Sequence, residues 1–334
     1  MKGLTRAKRV IDKAKNIVVA GHLNPDGDSI GSMLSLGIGL ENLGKKVHMI
    51  SPDGVPKKYR ELPGADRIVR HYYGKADLAI SVDVSTRAML GSASLAFDKA
   101  GAVLEIDHHR VRAGFGDHSL IDADAAAVGE MVYLLLKSMK ADITLDIAQN
   151  ILTSIIVETS SFRLPNLSPM TFKISAELIE KGVDFYKLVD TVFWSYSKEA
   201  AQLAGICLAR ARFLENGQLA WSVVRRKDFE RTGGKDEDVD PVADQIRAIK
   251  DVRMVLFFRE KDKDHMRVSL RSKNSINVAR LAEKYGGGGH CDVAGCLIPN
   301  KASVMRRMLR EARAFLHCAA ARNGNGGECK CEGE

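Results

Sequence analysis

Asn16-Ile-Val-Val-Ala-Gly-His-Leu-Asn-Pro-Asp-Gly-Asp28 is the stretch on which the fold turns. Its first half is an apolar, β-branched run of the length expected for a buried strand. Its second half must turn, because Pro25 and Gly27 break the extended chain and let Asp26 and Asp28 point the same way. Behind it, Ile30, Met33, Leu34, Leu36, Ile38, Leu40 and Leu43 repeat at helical spacing until Gly44, and Lys46 to Ser51 reads as a second strand. Ahead of it, residues 5–15 have the pattern of a short helix. The same signature returns twice: Leu78-Ala-Ile-Ser-Val ends at Asp83, and Ala102-Val-Leu-Glu-Ile ends at Asp107-His108-His109. Strands that alternate with helices and finish on a carboxylate or imidazole predict an α/β fold. Its parallel sheet would carry helices on both faces and gather ligands at one edge.

A chain of 334 residues exceeds one ordinary core, so two domains are expected. The first, residues 1–195, continues with helices over Ala127–Met139, Asp146–Val157, Pro169–Lys181 and Asp184–Phe193. Ser161 to Pro169 is a loop between them, since its prolines cannot sit inside a helix. Ser197 to Glu215 reads as one long helix, making residues 196–216 a helical linker. A smaller α/β domain, residues 217–318, then shows strands at Leu219–Val224, Val252–Phe258 and Met266–Arg271. Arg225–Asp240 reads as a charged surface loop, Ile276–Lys284 as a helix, Gly286–His290 as a loop and Ala302–Leu316 as a closing helix. Residues 319–334 read as a disordered tail.

The apolar stretches are too short to span a bilayer, and the basic N-terminus lacks the apolar core of a secretory signal. A cytoplasmic protein with no membrane partner is the expectation. A net charge of +8 favours anionic substrates, and six cysteines in this length do not make a disulfide framework. Cys329-x-Cys331 lies in a glycine-rich tail. Arg306, Arg307, Arg310 and Arg313 form a basic, solvated helix face.

Oxygen and imidazole donors without thiolates suit Mn²⁺, Mg²⁺ or Fe²⁺ better than structural zinc. Two such cations about 3.5–4 Å apart can drive an in-line displacement at phosphorus, and they need several carboxylates between them to offset their mutual repulsion. His22, Asp26, Asp28, Asp83 and His108 supply that inventory. A phosphate-binding loop is excluded for Gly21 to Ser32, because no Gly-Lys-Ser/Thr follows.

Together Gly21-His-Leu-Asn-Pro-Asp-Gly-Asp-Ser29, Val82-Asp83 and Asp107-His108-His109 resemble the DHH phosphoesterase superfamily. Val268-Ser-Leu-Arg-Ser272 and Gly286-Gly-Gly-Gly-His290-Cys-Asp-Val-Ala-Gly295 resemble its associated substrate domain. The resemblance covers roughly residues 5 to 318 and is greatest to the oligoribonucleases that also act on pAp. It implies one Mn²⁺ on His22, Asp26 and Asp83, and a second on Asp28, Asp83, His108 and a fourth-motif carboxylate, with Co²⁺, Mg²⁺ or Fe²⁺ as other candidates. It gives His109 to the scissile phosphate and Asp107 to orienting the histidine pair. The fourth motif departs from the usual Asp-Thr-Gly-x-Phe: here it reads Glu158-Thr-Ser-Ser-Phe162, so Glu158 becomes the candidate ligand. Ala125 to Glu130 departs as well, lacking the serines that relatives often carry there.

In the smaller domain, Gly287, Gly288 and Gly289 expose backbone N–H groups to a phosphate, with His290 and Arg271 as charged or polar donors beside Ser272. The implied activity is hydrolysis of short single-stranded RNA to nucleoside 5′-monophosphates, of pAp to AMP and phosphate, or of both. A phosphodiesterase of cyclic or linear dinucleotides such as c-di-AMP or pApA shares every motif. A nucleotide sensor without activity is favoured only by Glu158. A homodimer is implied by the resemblance alone.

Overall fold

The computed structural model describes residues 3–273, 276–289 and 291–323. The chain divides into two compact units, Met1–Ser195 and Tyr196–Glu334.

The first unit is built on a five-stranded parallel sheet in the order β2-β1-β3-β4-β5. Its strands are β1 (Asn16–Ala20), β2 (Lys46–Ile50), β3 (Leu78–Val82), β4 (Val103–Asp107) and β5 (His118–Ile121). Residues of β1, β3 and β4 are buried on both faces, which is why they read as unbroken apolar runs. One face, carrying Ile17, Val19, Ile80 and Ile106, packs against α1 (Leu4–Lys13), α2 (Gly27–Asn42), α4 (Val128–Ser138), α5 (Leu145–Glu158) and α6 (Pro169–Glu180). The other face, carrying Val18, Ala20 and Ala79, is covered by Leu90, Ala93, Ala96 and Phe97 from a 3₁₀ segment and the short α3 (Ser94–Phe97). The fifth strand escapes sequence reading because His118-Ser-Leu-Ile121 is short and only Leu120 is fully buried. The helix expected over Asp184–Phe193 is present from Phe185 to Trp194 but changes type part-way. It is α7 (Phe185–Val189) followed by a widened π-turn over Asp190–Trp194.

The second unit holds a six-stranded mixed sheet in the order β10-β11-β9-β8-β7-β6. These are β6 (Arg212–Leu214), β7 (Leu219–Val224), β8 (Met254–Glu260), β9 (His265–Ser272), β10 (Gly288–Gly289) and β11 (Val293–Pro299). Several expectations are corrected here. The long linker helix is α8 (Lys198–Ala209); the chain then becomes β6, because Phe213 and Leu214 pair with Ala220 and Leu219. This helix belongs to the second unit, since Leu203 and Cys207 are buried with Ala220, Val224 and Phe257. Arg225–Asp240 is not a loop but contains α9 (Arg226–Thr232) and a 3₁₀ turn over Asp236–Val239. Buried Asp228 organises it, accepting from Arg225 N at 2.8 Å and from the Arg210 guanidinium. α10 (Val242–Arg247) covers the same sheet face as α8, while α11 (Ala279–Glu283) and α12 (Ala302–Asn323) cover the other. The expected helix at Ile276 thus starts later, at Ala279. Residues 319–323 continue α12 instead of starting a disordered tail, and 324–334 lie outside the described residues.

Candidate metal centre

β1, β3 and β4 lie side by side, so their C-terminal ends bring His22, Asp83 and His108 to one edge of the sheet. The turn after β1 feeds directly into α2, whose N-cap is Asp26. Its Oδ1 accepts from the N–H of Asp28 and of Ser29, both at 3.0 Å, fixing the carboxylate at the helix N-terminus. His22 Nδ1 lies 2.7 Å from the Leu23 carbonyl. A carbonyl only accepts, so the proton sits on Nδ1 and Nε2 faces the acids. Nε2 is 3.4 Å from Asp83 Oδ2 and 3.8 Å from Asp26 Oδ1.

Asp83 ends β3 in the left-handed region, at φ 60°, a conformation that costs a non-glycine residue energy. It is 3% exposed, and its Oδ1 has no hydrogen-bond partner among the described residues. His108 repeats the arrangement of His22. Its Nδ1 donates to the Ala125 carbonyl at 3.1 Å, and its Nε2 lies 3.7 Å from Asp28 Oδ2, 3.9 Å from Asp83 Oδ1 and 3.9 Å from Glu158 Oε1. His109 donates from Nδ1 to Asp107 Oδ1 at 2.7 Å and stands 3.6 Å from Asp83 Oδ1.

Asp28 is fully buried, an expensive place for a carboxylate unless donors surround it. Oδ2 accepts from Val128 N at 2.9 Å. Oδ1 accepts from Ser154 Oγ at 2.6 Å, Ser32 Oγ at 2.9 Å and Gly129 N at 3.3 Å. It therefore also occupies the N-terminus of α4, where the helix dipole favours an anion. Gly129 is required for this approach: a Cβ there would stand 2.2 Å from Ser154 Oγ. Ser32, Ser154 and the N-terminus of α4 were not legible as site residues, because a hydroxyl inside an apolar helix gives no pattern. The segment Ala125–Glu130 contributes through its main chain, so its missing serines remove neither the His108 nor the Asp28 contact.

Arg112 is a further residue that spacing did not reveal. Its Nη2 is 2.9 Å from buried Glu105 Oε1, and its Nε is 3.6 Å from Asp107 Oδ2.

The electrostatics follow from packing four carboxylates together. Burial, and then the charge of Asp83, push Asp28 up to about 7. Burial, Asp28 and Asp83 push Glu158 up to about 9. Burial alone would lower His22, but Asp26 and Asp83 outweigh it and raise it to about 11. Burial likewise opposes His108 and His109, whose pKa values are nevertheless raised by Asp28 and Asp83 and by Asp107 respectively. Asp107 is lowered despite burial by its hydrogen bond with His109.

Three groups bring ligand atoms within 4.8 Å of one another: His22, Asp26 and Asp83; Asp28, His108 and Glu158; and Asp83, His108 and His109. This donor set fits divalent cations. Asp83 Oδ1 is buried without a donor, and Glu158 resists ionisation for want of positive charge, two deficits that cations between the groups would remove.

In the second unit the nominated residues sit differently. Arg271 donates from Nε to both oxygens of Asp244, at 3.2 and 3.1 Å. Ser272 is 2% exposed, and its hydroxyl donates to the Ile276 carbonyl at 2.6 Å, so it is turned into the fold and not toward a ligand. Gly287 and Gly289 lie against β11: a Cβ would meet Gly295 O at 2.2 Å and Val293 O at 2.4 Å. At Gly288 the space is open. His290 lies outside the described residues.

The DHH family, N-terminal domain, matches residues 16–157, and the DHHA1 domain matches residues 216–317. The chain belongs to the DHH superfamily. Among its DHH relatives, the bifunctional oligoribonuclease and PAP phosphatase NrnA of Thermus thermophilus is 29% identical over 84% of this chain and 84% of its own length. NrnA of Bacillus subtilis is 27% identical over 88% of this chain and 93% of its own. The fold is shared with an exopolyphosphatase-related protein from Bacteroides fragilis (TM-score 0.89, 23% identity, 96% of this chain and 97% of that one). Exonuclease RecJ bound to manganese also shares it (TM-score 0.57, 16% identity, 96% and 95%). Among the described residues of this DHH protein, no helix is long and apolar enough to cross a membrane.

Proposed function

We propose that this protein is a phosphoesterase dependent on a pair of divalent cations, Mn²⁺ by preference, that hydrolyses short RNA to nucleoside 5′-monophosphates and pAp to AMP and phosphate. The observation that carries the reading is Asp83, whose two oxygens face different partners: Oδ2 faces His22 and Oδ1 faces His108 and His109. A carboxylate so placed can serve two cations at once. The NrnA relatives supply the substrate class.

His22, Asp26 and Asp83 would hold one cation and Asp28, Asp83, His108 and Glu158 the other. When bound, the pair activates a water molecule and neutralises charge on the phosphoryl oxygens. The protein's own part is to hold these groups still. Leu23 and Ala125 fix the protons of His22 and His108 on Nδ1, leaving each Nε2 toward the carboxylates. Asp107 accepts from His109 Nδ1 and raises the ring's affinity for a second proton, which Nε2 could then donate to a phosphoryl oxygen as charge builds there.

A turnover screen over pAp, RNA and DNA of two to ten nucleotides, and cyclic dinucleotides, with added Mn²⁺, tests the assignment. Release of AMP and of mononucleotides is expected, and Asp83→Ala should abolish it while leaving the protein folded. Wild-type turnover by purified Asp83→Ala would refute the chemistry. Preference for cyclic dinucleotides would redirect the substrate assignment.

A further inference from the structure

Gly27 sits between two candidate ligands, Asp26 and Asp28, and the space beside its Cα is filled from two other parts of the first unit. A Cβ there would stand 2.4 Å from Val157 Cγ2 and 2.9 Å from Tyr59 Oη. Val157 precedes Glu158 at the end of α5, and Tyr59 closes a 3₁₀ turn over Lys57–Tyr59 in the connection from β2 to β3. The tip of the tyrosine and the side chain before Glu158 therefore meet at the main chain that carries Asp26 and Asp28. Asn150 on α5 donates from Nδ2 to the Pro63 carbonyl at 3.0 Å, so the segment that follows Tyr59 is fastened to the same helix.

Tyr59 is fully buried in the core of the first unit, and no sequence motif nominates it. Its hydroxyl has no hydrogen-bond partner among the described residues; the Gly27 N–H lies toward it but short of hydrogen-bonding geometry. An unpaired buried hydroxyl is costly, and phenylalanine would fill the same space without it. Burial and the negative charge of Asp26 hold the phenol well above its ordinary pKa, so it keeps a proton to give. Asp26 Oδ1 is spent on capping α2, where it takes the N–H groups of Asp28 and Ser29, and Oδ2 is left without a main-chain donor.

We infer that Tyr59 is a positioning residue of the metal centre: its ring sets the Asp26-Gly27-Asp28 turn against the end of α5, and its hydroxyl is the donor that steadies Asp26 when a cation is held. The inference rests on the cation pair proposed above and adds a residue that is not itself a ligand. A ligating carboxylate keeps its orientation when a neighbouring group donates to it, which is the use that an otherwise wasteful hydroxyl finds here.

The test is titration calorimetry of Mn²⁺ into the metal-free full-length chain, with melting in EDTA, for wild type, Tyr59→Phe and Tyr59→Leu. Tyr59→Phe keeps the ring and should bind Mn²⁺ roughly tenfold more weakly. In EDTA it should melt at or above the wild-type temperature, because it deletes an unpaired buried hydroxyl. Affinity lost without stability is a result that mere loosening of the core does not produce. Tyr59→Leu removes the ring as well and should lower both. Wild-type affinity in Tyr59→Phe, or weakened affinity accompanied by a lower melting temperature in EDTA, would overturn the role of the hydroxyl. Wild-type affinity in Tyr59→Leu would overturn that of the ring. A wild-type chain that binds no Mn²⁺ would refute the cation pair and the assignment of Tyr59 with it, whereas binding that Tyr59→Phe matches refutes the assignment of its hydroxyl alone.

Discussion

Arg112 sets its Nε 3.6 Å from Asp107 Oδ2 while its Nη2 holds Glu105 at 2.9 Å, so one guanidinium ties together two carboxylates that the fold has buried. Asp107 in turn fixes His109.

Removing Arg112 should therefore act on chemistry through two intermediaries. Arg112→Ala leaves two buried acids without their cation, and a loss of about 3–5 kcal/mol in stability is expected from denaturant unfolding. In protein that remains folded, turnover should fall about 10- to 100-fold with little change in KM, because orientation of His109 is lost. Arg112→Lys should restore stability more than turnover, since an ammonium cannot span both acids as a fork does. Equal recovery of both would show that only charge matters there.

Asp83→Asn is the conservative probe of the shared carboxylate. Asparagine tolerates the φ of 60° that this position requires, so the backbone is preserved. Turnover should drop by roughly a thousandfold. Without metal, the melting temperature of the variant should decline less steeply than that of wild type between pH 5 and pH 9, because the carboxylate that raises Asp28, Glu158 and His22 is gone. A decline as steep as that of wild type would show that Asp83 does not set those pKa values.

Ser154→Ala removes the shortest hydrogen bond that Asp28 accepts. The carboxylate keeps Ser32 Oγ and the N–H groups of Val128 and Gly129, so folding should survive with a cost of about 1–2 kcal/mol. Divalent-cation affinity, read by titration calorimetry, should weaken roughly tenfold. Unaltered affinity would mean that Asp28 is held without it.

Stability of the metal-free protein should fall steadily from about pH 5 to pH 9. A carboxyl raised on folding opposes the native state as it ionises. Asp28 therefore loses stability between its ordinary 3.8 and about 7, and Glu158 between its ordinary 4.5 and about 9. His22, raised from 6.5 to about 11, contributes fully below the lower value and loses its contribution as pH climbs toward the upper one. The three slopes share a sign. Asp26 and Asp107, lowered instead, lose their contribution only as pH drops through the acid range below this window. Differential scanning at intervals of pH, with and without Mn²⁺, checks this. Added cation should flatten the decline, and a melting temperature that rises with pH in EDTA would contradict it.

The first unit was the more legible because its signal is periodic. Buried parallel strands read as uninterrupted apolar runs, and each of β1, β3 and β4 ends on a polar residue that stands out against them. His22, Asp26, Asp28, Asp83 and His108 could be nominated for that reason, whereas Glu158, at the end of α5, is nominated only by the resemblance of Glu158 to Phe162 to a family motif; the fold brings the six together. Ser32, Ser154, Arg112 and the N–H groups of Val128 and Gly129 could not, since they act through tertiary approach and main-chain geometry. The second unit misled more often. β6 has three residues and β10 two, below the length at which alternation can be seen. α9 forms around Asp228, whose partner Arg210 is 18 positions away. Arg271 looked like an open hand for phosphate because its acid, Asp244, lies in a different element.

The sheet order has a kinetic corollary. The candidate ligands between positions 22 and 158 all become neighbours only once β1, β3 and β4 have paired side by side, each joined to the next by a long excursion. His22, Asp26 and Asp83 need only β1 and β3, whereas Asp28, His108 and Glu158 also wait for β4 and α5, so the two groups would complete at different stages of assembly, and a chain still searching for its register would lack the full set with which to hold a pair of cations.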